Sequence, residues 1–381
     1  MKIAFLTPEY PHPKTGSSGG IGTSIKNLAA GLLAEGCFVR VLVYGQKEEG
    51  VFDDNGIFIQ QIRNVKFKGL SWYLTRKKLQ KIIDVLYVSK EIDLVEAPDW
   101  TGITSFIKTK CPIVIRLHGS DTYFCHLDQR PVKWNNRFHE KRALQKADAL
   151  LSVSQFTADK TNEVFGLEKK FTIVANGIDS YSFTNSITNI NNKTILYFGS
   201  LIRKKGLLEL PFIFNKVIDK YPKAKLVLVG RDVPDIISGN SSTWQMMQGL
   251  FTKQALINVD YLGIVDYQDI KKQINAATVC VFPTFAEALP VSWIEAMAMQ
   301  KPIVASNIGW ASEVIDDEIN GFLMHPTDHV EYANKILELL ENATLQKEFG
   351  VEARKKVIKK FSIEKVAQQS LVFYQQLVAS K

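Results

Sequence analysis

Two carboxylates, Glu287 and Glu295, lie on either side of a turn that joins a strand-like run to a helix. Residues 278–284 are apolar and largely β-branched, residues 286–290 break that pattern, and residues 293–299 are apolar and helix-forming. The sequence therefore predicts a helix whose first backbone amides face the carboxyl end of a strand. Because unpaired amides and the positive end of the helix dipole attract phosphate, we expect a nucleotide-binding turn here.

Each carboxylate also has a purely structural interpretation. Ser292, followed three residues later by Glu295, matches a capping box, in which the carboxylate would satisfy amides of the first helical turn. Glu287 would then be a solvated acid of the loop. Neither interpretation explains why a loop acid, a proline, a capping serine and a helical acid occur together at the end of one strand.

The segment from Phe282 to Ser306 resembles the E-x7-E motif of the family 4 (group 1) retaining glycosyltransferases. Four more blocks resemble that family in the same order: a glycine loop at Gly16 to Thr23, a histidine at a strand end in Leu117-His118-Gly119, an NGxD block at Asn176 to Asp179, and a phosphate-binding block at Gly199 to Gly206. Together the five blocks span nearly the whole chain. The resemblance implies the GT-B fold, in which two Rossmann-like α/β domains face a central cleft and a C-terminal helix crosses back to the N-terminal domain.

The resemblance also implies roles for individual residues. The catalytic pair would be His118, which contacts the donor sugar near its 6-hydroxyl, and Glu287, which orients the sugar hydroxyls. Glu295 would bind the ribose hydroxyls of the nucleotide. The nucleobase would lie near Gly263, Ile264 and Val265, a loop whose chemistry does not choose uracil over guanine. Retention of configuration is implied by the family alone.

A diphosphate leaving group carries negative charge that must be neutralised. No two aspartates stand two apart, so the sequence lacks the D-x-D triplet that holds a metal in many glycosyltransferases, and we expect no metal or other cofactor. Arg203 and Lys205 follow the predicted strand that ends at Phe198, at the edge where open α/β sheets bind ligands. Arginine offers phosphate a bidentate fork and lysine a point charge.

This phosphate-binding block departs from the family pattern GRLxxxKG at one position. Lys205 takes the lysine position, but Ser200 stands where the arginine is expected, and Arg203 would compensate from the next turn. The structural alternative is a solvated basic loop. Pro290 likewise stands where many relatives have glycine, and proline has no N–H, so contacts with sugar and phosphate would shift to Val291 and Ser292.

The first glycine cluster contains Gly19, Gly20 and Gly22. Glycine lets the backbone approach a ligand closely, which suits a loop over the donor diphosphate, at Gly20, or over an acceptor hydroxyl; Asp121 is a further acceptor candidate. An NAD-dependent oxidoreductase is the competing interpretation. Its fingerprint needs glycines directly after the strand and an acid about 20 residues on. Here the glycines come a dozen residues late and the second strand ends at Tyr44 without an acid.

Strand-like and helical segments alternate along the chain, which indicates parallel sheets flanked by helices. The first half has strands at Lys2 to Thr7, Val39 to Tyr44, Leu94 to Glu96, Ile113 to Leu117, Ala149 to Val153 and Phe171 to Val174, with a helix at Thr23 to Glu35. The second has strands at Thr194 to Phe198, Lys225 to Val229, Asp260 to Leu262, Val279 to Phe282 and Pro302 to Ser306. We predict an acceptor domain at 1–185 with the closing helix 362–381, a polar linker at 180–192, a donor domain at 190–360, and a helical tail from about Asp328.

Composition restricts the class of protein. The 381 residues are 46% hydrophobic and 10% aromatic, which is enough for two globular cores. The four cysteines form no C-x-x-C pair, so neither a disulfide framework nor a zinc site is indicated. No signal peptide is evident, and no apolar run approaches the roughly 18 residues that a membrane span needs. These features favour a reducing, cytoplasmic location.

The net charge of +8 favours a partner that carries negative charge. Residues 66–81 (KFKGLSWYLTRKKLQK) mix six basic side chains with aromatic and leucine residues, which suits peripheral contact with an anionic membrane. A helix with a solvated basic face fits the segment equally well. A non-enzymatic polyanion binder is the alternative from another class, although we expect no nucleic acid partner.

Taken together, the resemblance implies a hexosyltransferase that uses a UDP- or GDP-linked donor. The acceptor would be a glycan, lipid-linked or close to a membrane, in cell-surface polysaccharide or lipopolysaccharide biosynthesis. A transferase of the same fold that acts on a soluble small metabolite is the alternative.

Overall fold

The computed structural model describes residues 1–16, 18–184 and 193–381. Ser17 of the glycine loop and residues 185–192 of the predicted linker lie outside the described residues. The chain divides into two compact units. Unit 1 comprises Met1–Asp179 and Lys360–Lys381, and unit 2 comprises Ser180–Lys359.

Unit 1 is built on an eight-stranded sheet with the order β3-β4-β2-β1-β5-β6-β7-β8. All neighbouring strands are parallel except β3 and β4, which pair antiparallel. The strands are β1 (Lys2–Thr7), β2 (Phe38–Tyr44), β3 (Gly50–Asp54), β4 (Ile57–Ile62), β5 (Leu94–Pro98), β6 (Ile113–Leu117), β7 (Ala149–Ser152) and β8 (Thr172–Ile173).

Helices cover both faces of this sheet. They are α1 (Gly20–Ala34), α2 (Ser71–Val88), α3 (Asp121–Leu127), α4 (Trp134–Lys146), α5 (Gln155–Phe165) and the C-terminal helix (Ile363–Ala379). Alternate residues of β1 point to opposite faces: Ile3 and Phe5 pack with α1 and the C-terminal helix, whereas Ala4 and Leu6 pack with α2 and α4.

The C-terminal helix is fixed to the sheet by a buried polar network. Arg116 of β6 donates from Nε and Nη2 to the carboxylate of Glu96 on β5, at 2.8 and 3.1 Å. The same guanidinium donates to Ser370 Oγ (3.0 Å) and Tyr374 Oη (3.3 Å) of the helix. The Tyr374 hydroxyl donates to Glu96 at 2.5 Å. Burial opposes the charge of Arg116, but Glu96 and Tyr374 outweigh it and raise the pKa of the guanidinium.

Unit 2 is built on a six-stranded, wholly parallel sheet with the order β11-β10-β9-β12-β13-β14. Its strands are β9 (Thr194–Phe198), β10 (Lys225–Val229), β11 (Val259–Tyr261), β12 (Val279–Phe282), β13 (Ile303–Ser306) and β14 (Phe322–Met324). Its helices are α6 (Leu210–Lys220), α7 (Thr243–Gln248), α8 (Lys253–Leu256), α9 (Tyr267–Ala276), α10 (Val291–Ala298), α11 (Ala311–Val314), α12 (His329–Glu341) and α13 (Ala343–Lys356), and the C-terminal helix of unit 1 is α14. These two helix-flanked sheets confirm the predicted α/β class.

Several predicted boundaries were wrong. Helix α1 begins at Gly20 rather than Thr23, so the glycine cluster forms its first turn. The helical tail from about Asp328 is confirmed, and its helices are divided by cap residues: Asn342 ends α12 and caps α13, and Ser362 caps α14. Strands β3, β4 and β14 were not predicted. Among the described residues, no helix is long and apolar enough to cross a membrane.

Candidate functional site

Three loops meet at the carboxyl edge of the unit 2 sheet. Gly199 follows β9 and Gly230 follows β10, and both have a φ of 140°. The Gly230 amide donates to the Gly263 carbonyl at 2.8 Å, and a Cβ on Gly230 would lie 1.9 Å from the Gly199 carbonyl oxygen. Glycine is therefore required where the loops touch. The predicted nucleobase loop lies at this edge, with the Ile264 side chain 74% exposed.

The phosphate-binding block is held against the loop that follows β12. The amides of Phe285 and Ala286 donate to the Lys204 carbonyl at 2.8 and 3.2 Å. Gly206 has a φ of 71°, and a Cβ there would lie 1.7 Å from the Pro283 carbonyl oxygen. Only glycine satisfies both this conformation and this close approach, and so the sequence fixes Lys205 beside the E-x7-E segment.

Lys205 and Glu287 form an ion pair, with Nζ and Oε1 3.0 Å apart. Both side chains are largely buried, at 22% and 17% exposure. Burial lowers the pKa of Lys205, but Glu287, Tyr197 and Glu295 together outweigh burial and raise it above its ordinary value. Lys205 therefore keeps its charge at neutral pH. Glu287 is ion-paired, not the solvated loop acid of the structural alternative.

The capping-box interpretation of Ser292 was wrong. Helix α10 begins at Val291, and its N-cap is Pro290, whose side chain makes no capping hydrogen bond. Ser292 is thus the second residue of the helix and not its cap, because the helix starts directly after Pro290. The fixed φ of proline suits a residue that precedes a helix. Val291 and Ser292 are half-buried, whereas the rest of the helix is buried. An uncapped helix start with accessible first residues suits an anionic ligand.

Glu295 lies in the same helix and is only 5% exposed. Its carboxylate helps to raise the pKa of Lys205, which places it within electrostatic range of that ammonium group. The structure therefore brings Lys205 and Glu287 into contact, with Glu295 of α10 near enough to act on the Lys205 charge.

The Arg203 side chain pairs with Asp235, whereas Lys205 pairs with Glu287. Its guanidinium donates from Nε and Nη2 to the carboxylate of Asp235, at 2.9 and 2.7 Å. Asp235 also accepts hydrogen bonds from the amide and hydroxyl of Ser238, and the Arg203 hydrogen bond is the main cause that lowers the Asp235 pKa. Much of the Arg203 charge is therefore neutralised within the protein, and Lys205 is the stronger phosphate candidate. No sequence signal linked Asp235 to this block.

The remaining predicted residues belong to unit 1. The Gly22 amide donates to the Glu9 carboxylate at 3.0 Å, and a Cβ on Gly19 would lie 3.3 Å from the same carboxylate oxygen. Glu9 thus supplies a negative charge at the start of α1, whereas Gly20 has open space around it. Sequence reasoning missed Glu9, although an acid two residues after β1 was a visible signal.

His118 follows β6, and its amide donates to Asp99 Oδ1 at 2.9 Å. The residue is half-buried, and burial of its imidazole, together with the nearby Arg116, lowers the pKa of His118 to about 3. The imidazole is neutral at pH 7. Asp99 is 1% exposed and its Oδ2 has no hydrogen-bond partner among the described residues. Burial, reinforced by Glu140, raises the pKa of Asp99 to about 7.

Asp121 begins α3, three residues after His118, and its amide and carboxylate both bind neighbouring groups. Its amide donates to the buried Glu140 carboxylate, which also accepts from the amides of Thr101 and Thr122 at 3.0 to 3.1 Å. The Asp121 carboxylate accepts from Asn136 Nδ2 at 2.9 Å and lies 3.6 Å from Arg130. Asp121 therefore holds neighbouring side chains in place.

The opposite pKa shifts of Asp99 and His118 predict opposite pH dependences. Between about pH 4 and 7 the unfolded chain releases the Asp99 proton while the folded chain keeps it, so the free energy of unfolding falls as pH rises, by up to about 1.4 kcal/mol per pH unit. Below about pH 6.5 the unfolded chain protonates His118 while the folded chain does not, so the free energy of unfolding falls as pH falls. Relative to the parent, Asp99→Asn should gain stability as pH rises from 4.5 to 6.5, and His118→Asn should lose it.

Urea unfolding at pH 4.5, 5.5 and 6.5 would measure both slopes. Gln248→Asn, at an exposed position of unit 2, is the matched control, because it introduces the same amide without removing a titratable group and should leave the slope unchanged. Parallel curves for the parent and the two unit 1 variants would contradict the prediction.

Among the described residues, no group of three or more His, Cys, Asp or Glu side chains is arranged to hold a metal ion. The charge-stabilising groups gathered in unit 2 are the Lys205 ammonium and the first amides of α10. These groups can bind an anion of the size of a diphosphate.

Comparison with known proteins extends these observations. An uncharacterized glycosyltransferase of Methanocaldococcus jannaschii is 25% identical, with 98% of each chain covered. Sucrose-phosphate synthase from Thermosynechococcus elongatus has a similar structure, with a TM-score of 0.82, 20% identity and 100% of each chain covered. Anabaena Alr3699/HepE, solved in complex with UDP and glucose, has a TM-score of 0.75 at 21% identity, with 98% of this chain and 99% of that chain covered. These likenesses confirm the GT-B fold.

Two family models match consecutive parts of the chain. The model described as Glycosyltransferase Family 4 matches residues 18–181, and the model described as Glycosyl transferases group 1 matches residues 183–356. The first match lies almost wholly in unit 1 and the second in unit 2. The chain belongs to the family 4, group 1 glycosyltransferases.

Proposed function

We propose that this glycosyltransferase transfers a hexose from a UDP- or GDP-linked donor to a glycan acceptor, with retention of configuration and without a metal cofactor. The observation that carries the proposal is the Lys205–Glu287 ion pair, 3.0 Å apart, in the same unit as the uncapped start of α10. A nucleotide sugar has groups that match both parts of this site. Its diphosphate would bind the lysine and the helix amides, and its sugar hydroxyls would bind the carboxylate.

Charge development assigns the proposed roles. As the glycosidic bond breaks, the sugar gains oxocarbenium-like positive charge and the diphosphate gains negative charge. Lys205 and the amides of Val291 and Ser292 stabilise the leaving group. Glu287 orients the sugar hydroxyls through charge-assisted hydrogen bonds, and Glu295 binds the ribose. His118, neutral at pH 7, contacts the transferred sugar through a ring nitrogen.

Retention is proposed to proceed on one face of the sugar. A double displacement needs a carboxylate nucleophile, and the carboxylate of Glu287 is already ion-paired with Lys205. Departure of the leaving group and attack by the acceptor within one tight ion pair avoids that requirement. The diphosphate, held by Lys205, then accepts the proton of the acceptor hydroxyl.

Donor binding provides the direct test. We expect UDP or GDP to bind in the presence of EDTA, and Lys205→Met to weaken that binding about 10- to 100-fold, because a hydrogen bond to a charged group contributes about 1.5–3 kcal/mol. Isothermal titration calorimetry measures both. Lys225→Met is the matched control, since Lys225 is an exposed lysine at the amino end of β10, the opposite edge of the sheet. Failure to bind either nucleotide, or an absolute need for magnesium or manganese, would overturn the proposal.

The acceptor is proposed to be lipid-linked, as in cell-surface polysaccharide or lipopolysaccharide biosynthesis. The support is the segment 66–81, which presents Phe67, Leu70, Trp72 and Tyr73 as exposed side chains at and before the start of α2. Exposed aromatic residues interleaved with lysines suit the headgroup region of an anionic membrane.

Vesicle binding tests this membrane contact. Replacing Lys66, Lys68 and Lys81 by glutamine should lower the affinity for phosphatidylglycerol vesicles, measured by cosedimentation, by up to roughly a hundredfold, since each basic residue near such a surface contributes about 1 kcal/mol. Replacing three lysines of unit 2, Lys220, Lys225 and Lys253, provides a control of equal charge. Equal vesicle binding by the two triple variants would contradict the membrane contact.

A soluble small acceptor is the second candidate. The observation that favours it is the high structural similarity to sucrose-phosphate synthase. A protein that turns over with soluble sugar phosphates, and that shows no vesicle binding, would support this candidate.

A further inference from the structure

Unit 1 contains a cavity of about 1310 Å³ at the amino edge of its sheet. Lys2 begins β1 and Ile113 begins β6, Asp148 lies directly before β7, and all three residues line the cavity. The predicted site residue His118 follows β6 at the opposite edge. The five residues of β6 span roughly 17 Å. The cavity is therefore separate from the edge that carries the predicted site residues of unit 1.

The carboxylates that line this cavity are mostly bound within the protein. Asp93 accepts a hydrogen bond from the Lys2 amide at 2.7 Å. Asp148 accepts one from the first amide of β6 at 2.8 Å and forms an ion pair with Lys381. Asp84, the third carboxylate of the cavity, makes no hydrogen bond or ion pair with the described residues. Little negative charge therefore remains to balance the cations of the cavity.

Cations outnumber these carboxylates. Six basic side chains line the cavity: Lys2, Lys90, Lys108, Lys110, Arg142 and Lys146. Lys2 donates from Nζ to the Lys90 carbonyl at 2.7 Å, and none of the six side chains forms an ion pair with a carboxylate of the described residues. A concave site lined by one sign of charge attracts ligands of the opposite sign. The cavity therefore favours an anion.

Arg142 is the cation whose position the surrounding side chains fix. It lies on α4, half-buried, with its guanidinium carbon 4.3 Å from the centroid of the Phe106 ring. Stacking on an aromatic ring orients the plane of a guanidinium group. Its Nε is enclosed by the protein without a hydrogen-bond partner, and neither Nη group donates to any described residue. Arg142 thus offers the cavity its two Nη groups in one orientation, which suits bidentate binding of a phosphate.

The ring beneath Arg142 is held by an aromatic cluster. The Phe106 ring contacts those of Trp72, Phe138 and His139, with centroids 5.6, 6.2 and 5.8 Å apart. Phe106 has a φ of 66°, a left-handed conformation that bulky residues rarely adopt. Such strain persists only where the surrounding structure fixes the residue, and it is concentrated at ligand-binding and other functional sites. The ring and the guanidinium stacked on it are therefore in place before a ligand binds.

The lysines around Arg142 determine how much negative charge the ligand carries. Lys146 lies four residues after Arg142 on α4, so both side chains leave the same face of the helix. Lys108 and Lys110 lie in the loop between Phe106 and β6 and are exposed. One phosphate group would neutralise only part of this charge. A ligand with two or more phosphates would contact the arginine and the lysines together, and the cavity has room for a ligand of nucleotide size.

We propose that this cavity is a second anion-binding site, in which Arg142 and the neighbouring lysines bind a ligand that carries at least two phosphate groups. A soluble phosphorylated compound and a phosphorylated lipid headgroup share this chemistry. The inference goes beyond the proposed function and does not depend on it, because Lys205 lies in the other unit and the glycine loop and His118 lie at the opposite edge of the unit 1 sheet.

The test uses the full chain and inorganic tripolyphosphate as the probe, with binding measured by isothermal titration calorimetry. Because the donor site would also bind this probe, every variant is made in the Lys205→Met background. We expect tripolyphosphate to bind, and Arg142→Gln to raise the dissociation constant about tenfold. Arg142→Lys should recover only part of the affinity, because lysine lacks the fork that binds phosphate bidentately. Asp84→Asn should lower the dissociation constant severalfold, because it removes a carboxylate that repels the probe.

Arg63→Gln is the matched control, since Arg63 is an exposed arginine of unit 1 that directly follows β4, at the carboxyl edge of the sheet. It should leave tripolyphosphate binding unchanged. The double variant Lys108→Gln with Lys110→Gln changes two exposed loop residues and should also weaken binding. It provides a second measure of the site if Arg142→Gln lowers the Tm.

Two results would overturn the inference. One is that tripolyphosphate does not bind in the Lys205→Met background. The other is that Arg142→Gln and Arg63→Gln weaken binding equally, because the attraction would then come from the net charge of +8 and not from a site. If UDP and GDP fail to bind the parent protein while tripolyphosphate binding still depends on Arg142, the proposed function fails and this site stands.

Vesicles that contain cardiolipin, a lipid with two phosphates, identify the source of the ligand. Vesicle binding that Arg142→Gln weakens, and that tripolyphosphate inhibits, assigns the site to a lipid headgroup. Tripolyphosphate binding that depends on Arg142, without vesicle binding, assigns the site to a soluble phosphorylated compound.

Discussion

Lys205→Met should lower kcat/KM by about two to three orders of magnitude, the loss typical when one group that stabilises transition-state charge is removed. The ammonium group lies 3.0 Å from Glu287 and keeps its proton because surrounding acids raise its pKa. In the proposed reaction, its interaction with the diphosphate strengthens as the leaving group gains charge. Most of the loss should therefore appear in kcat, measured at saturating donor.

The control for this prediction is again Lys225→Met, which changes the same charge at the other edge of the same sheet and should retain parental kcat. Glu287→Gln and the double variant with Lys205→Met complete a double-mutant cycle. If Lys205 only positioned Glu287, the double variant would be no worse than Glu287→Gln alone. An unchanged kcat in Lys205→Met would remove Lys205 from the reaction.

Because Ser200 stands where the family pattern has arginine, Lys205 carries more of the proposed phosphate binding. Ser200 replaces the arginine of the family pattern, and Arg203 is bound to Asp235 through two hydrogen bonds. Restoring the missing cation at position 200 therefore changes the local charge without breaking an existing ion pair. The side chain of Tyr197 already donates to the Ser200 carbonyl at 2.9 Å, so the backbone there is held independently of the side chain at position 200.

Most strands of both sheets were predictable, because buried parallel strands read as short apolar runs. Strands β1, β6, β9, β10 and β12 begin and end at the predicted residues. The antiparallel hairpin β3–β4 was missed, although Asn55 and Gly56 have positive φ values of 54° and 87° and Asn-Gly is a strong hairpin signal. Expecting only parallel strands obscured that signal.

The site was only partly predictable for a different reason. Lys205, Glu287 and Glu295 were identifiable because family blocks carry them. The partners of other residues at these sites were not identifiable. Asp235 lies 32 positions from Arg203 along the chain. Glu140, whose carboxylate accepts a hydrogen bond from the Thr101 amide, lies 39 positions from Thr101. Local sequence does not encode such pairings. They depend on strand order, which brings distant loops to one edge of a sheet.

Arg116→Met should lower the free energy of unfolding of unit 1 by about 3–5 kcal/mol, because it leaves the buried Glu96 carboxylate without its counter-ion. For a unit of this size the loss corresponds to a Tm decrease of roughly 10 °C. The network joins β5, β6 and α14 across large sequence separations, so loss of the guanidinium should also loosen α14. Hydrogen exchange in residues 363–379 would report that loosening, and differential scanning calorimetry the Tm.

The double variant Arg116→Met with Glu96→Gln separates charge from packing. A neutral glutamine keeps an acceptor for the Tyr374 hydroxyl, which donates to Glu96 at 2.5 Å, and removes the unpaired charge. We expect it to recover at least half of the lost stability, as replacing both partners of a buried ion pair is far less costly than removing one. If the single variant lost less than about 1 kcal/mol, the pair would behave as a surface ion pair, and another contact, such as the close packing of Gly31 on Ala367 and Ile363, would have to hold α14 on the sheet.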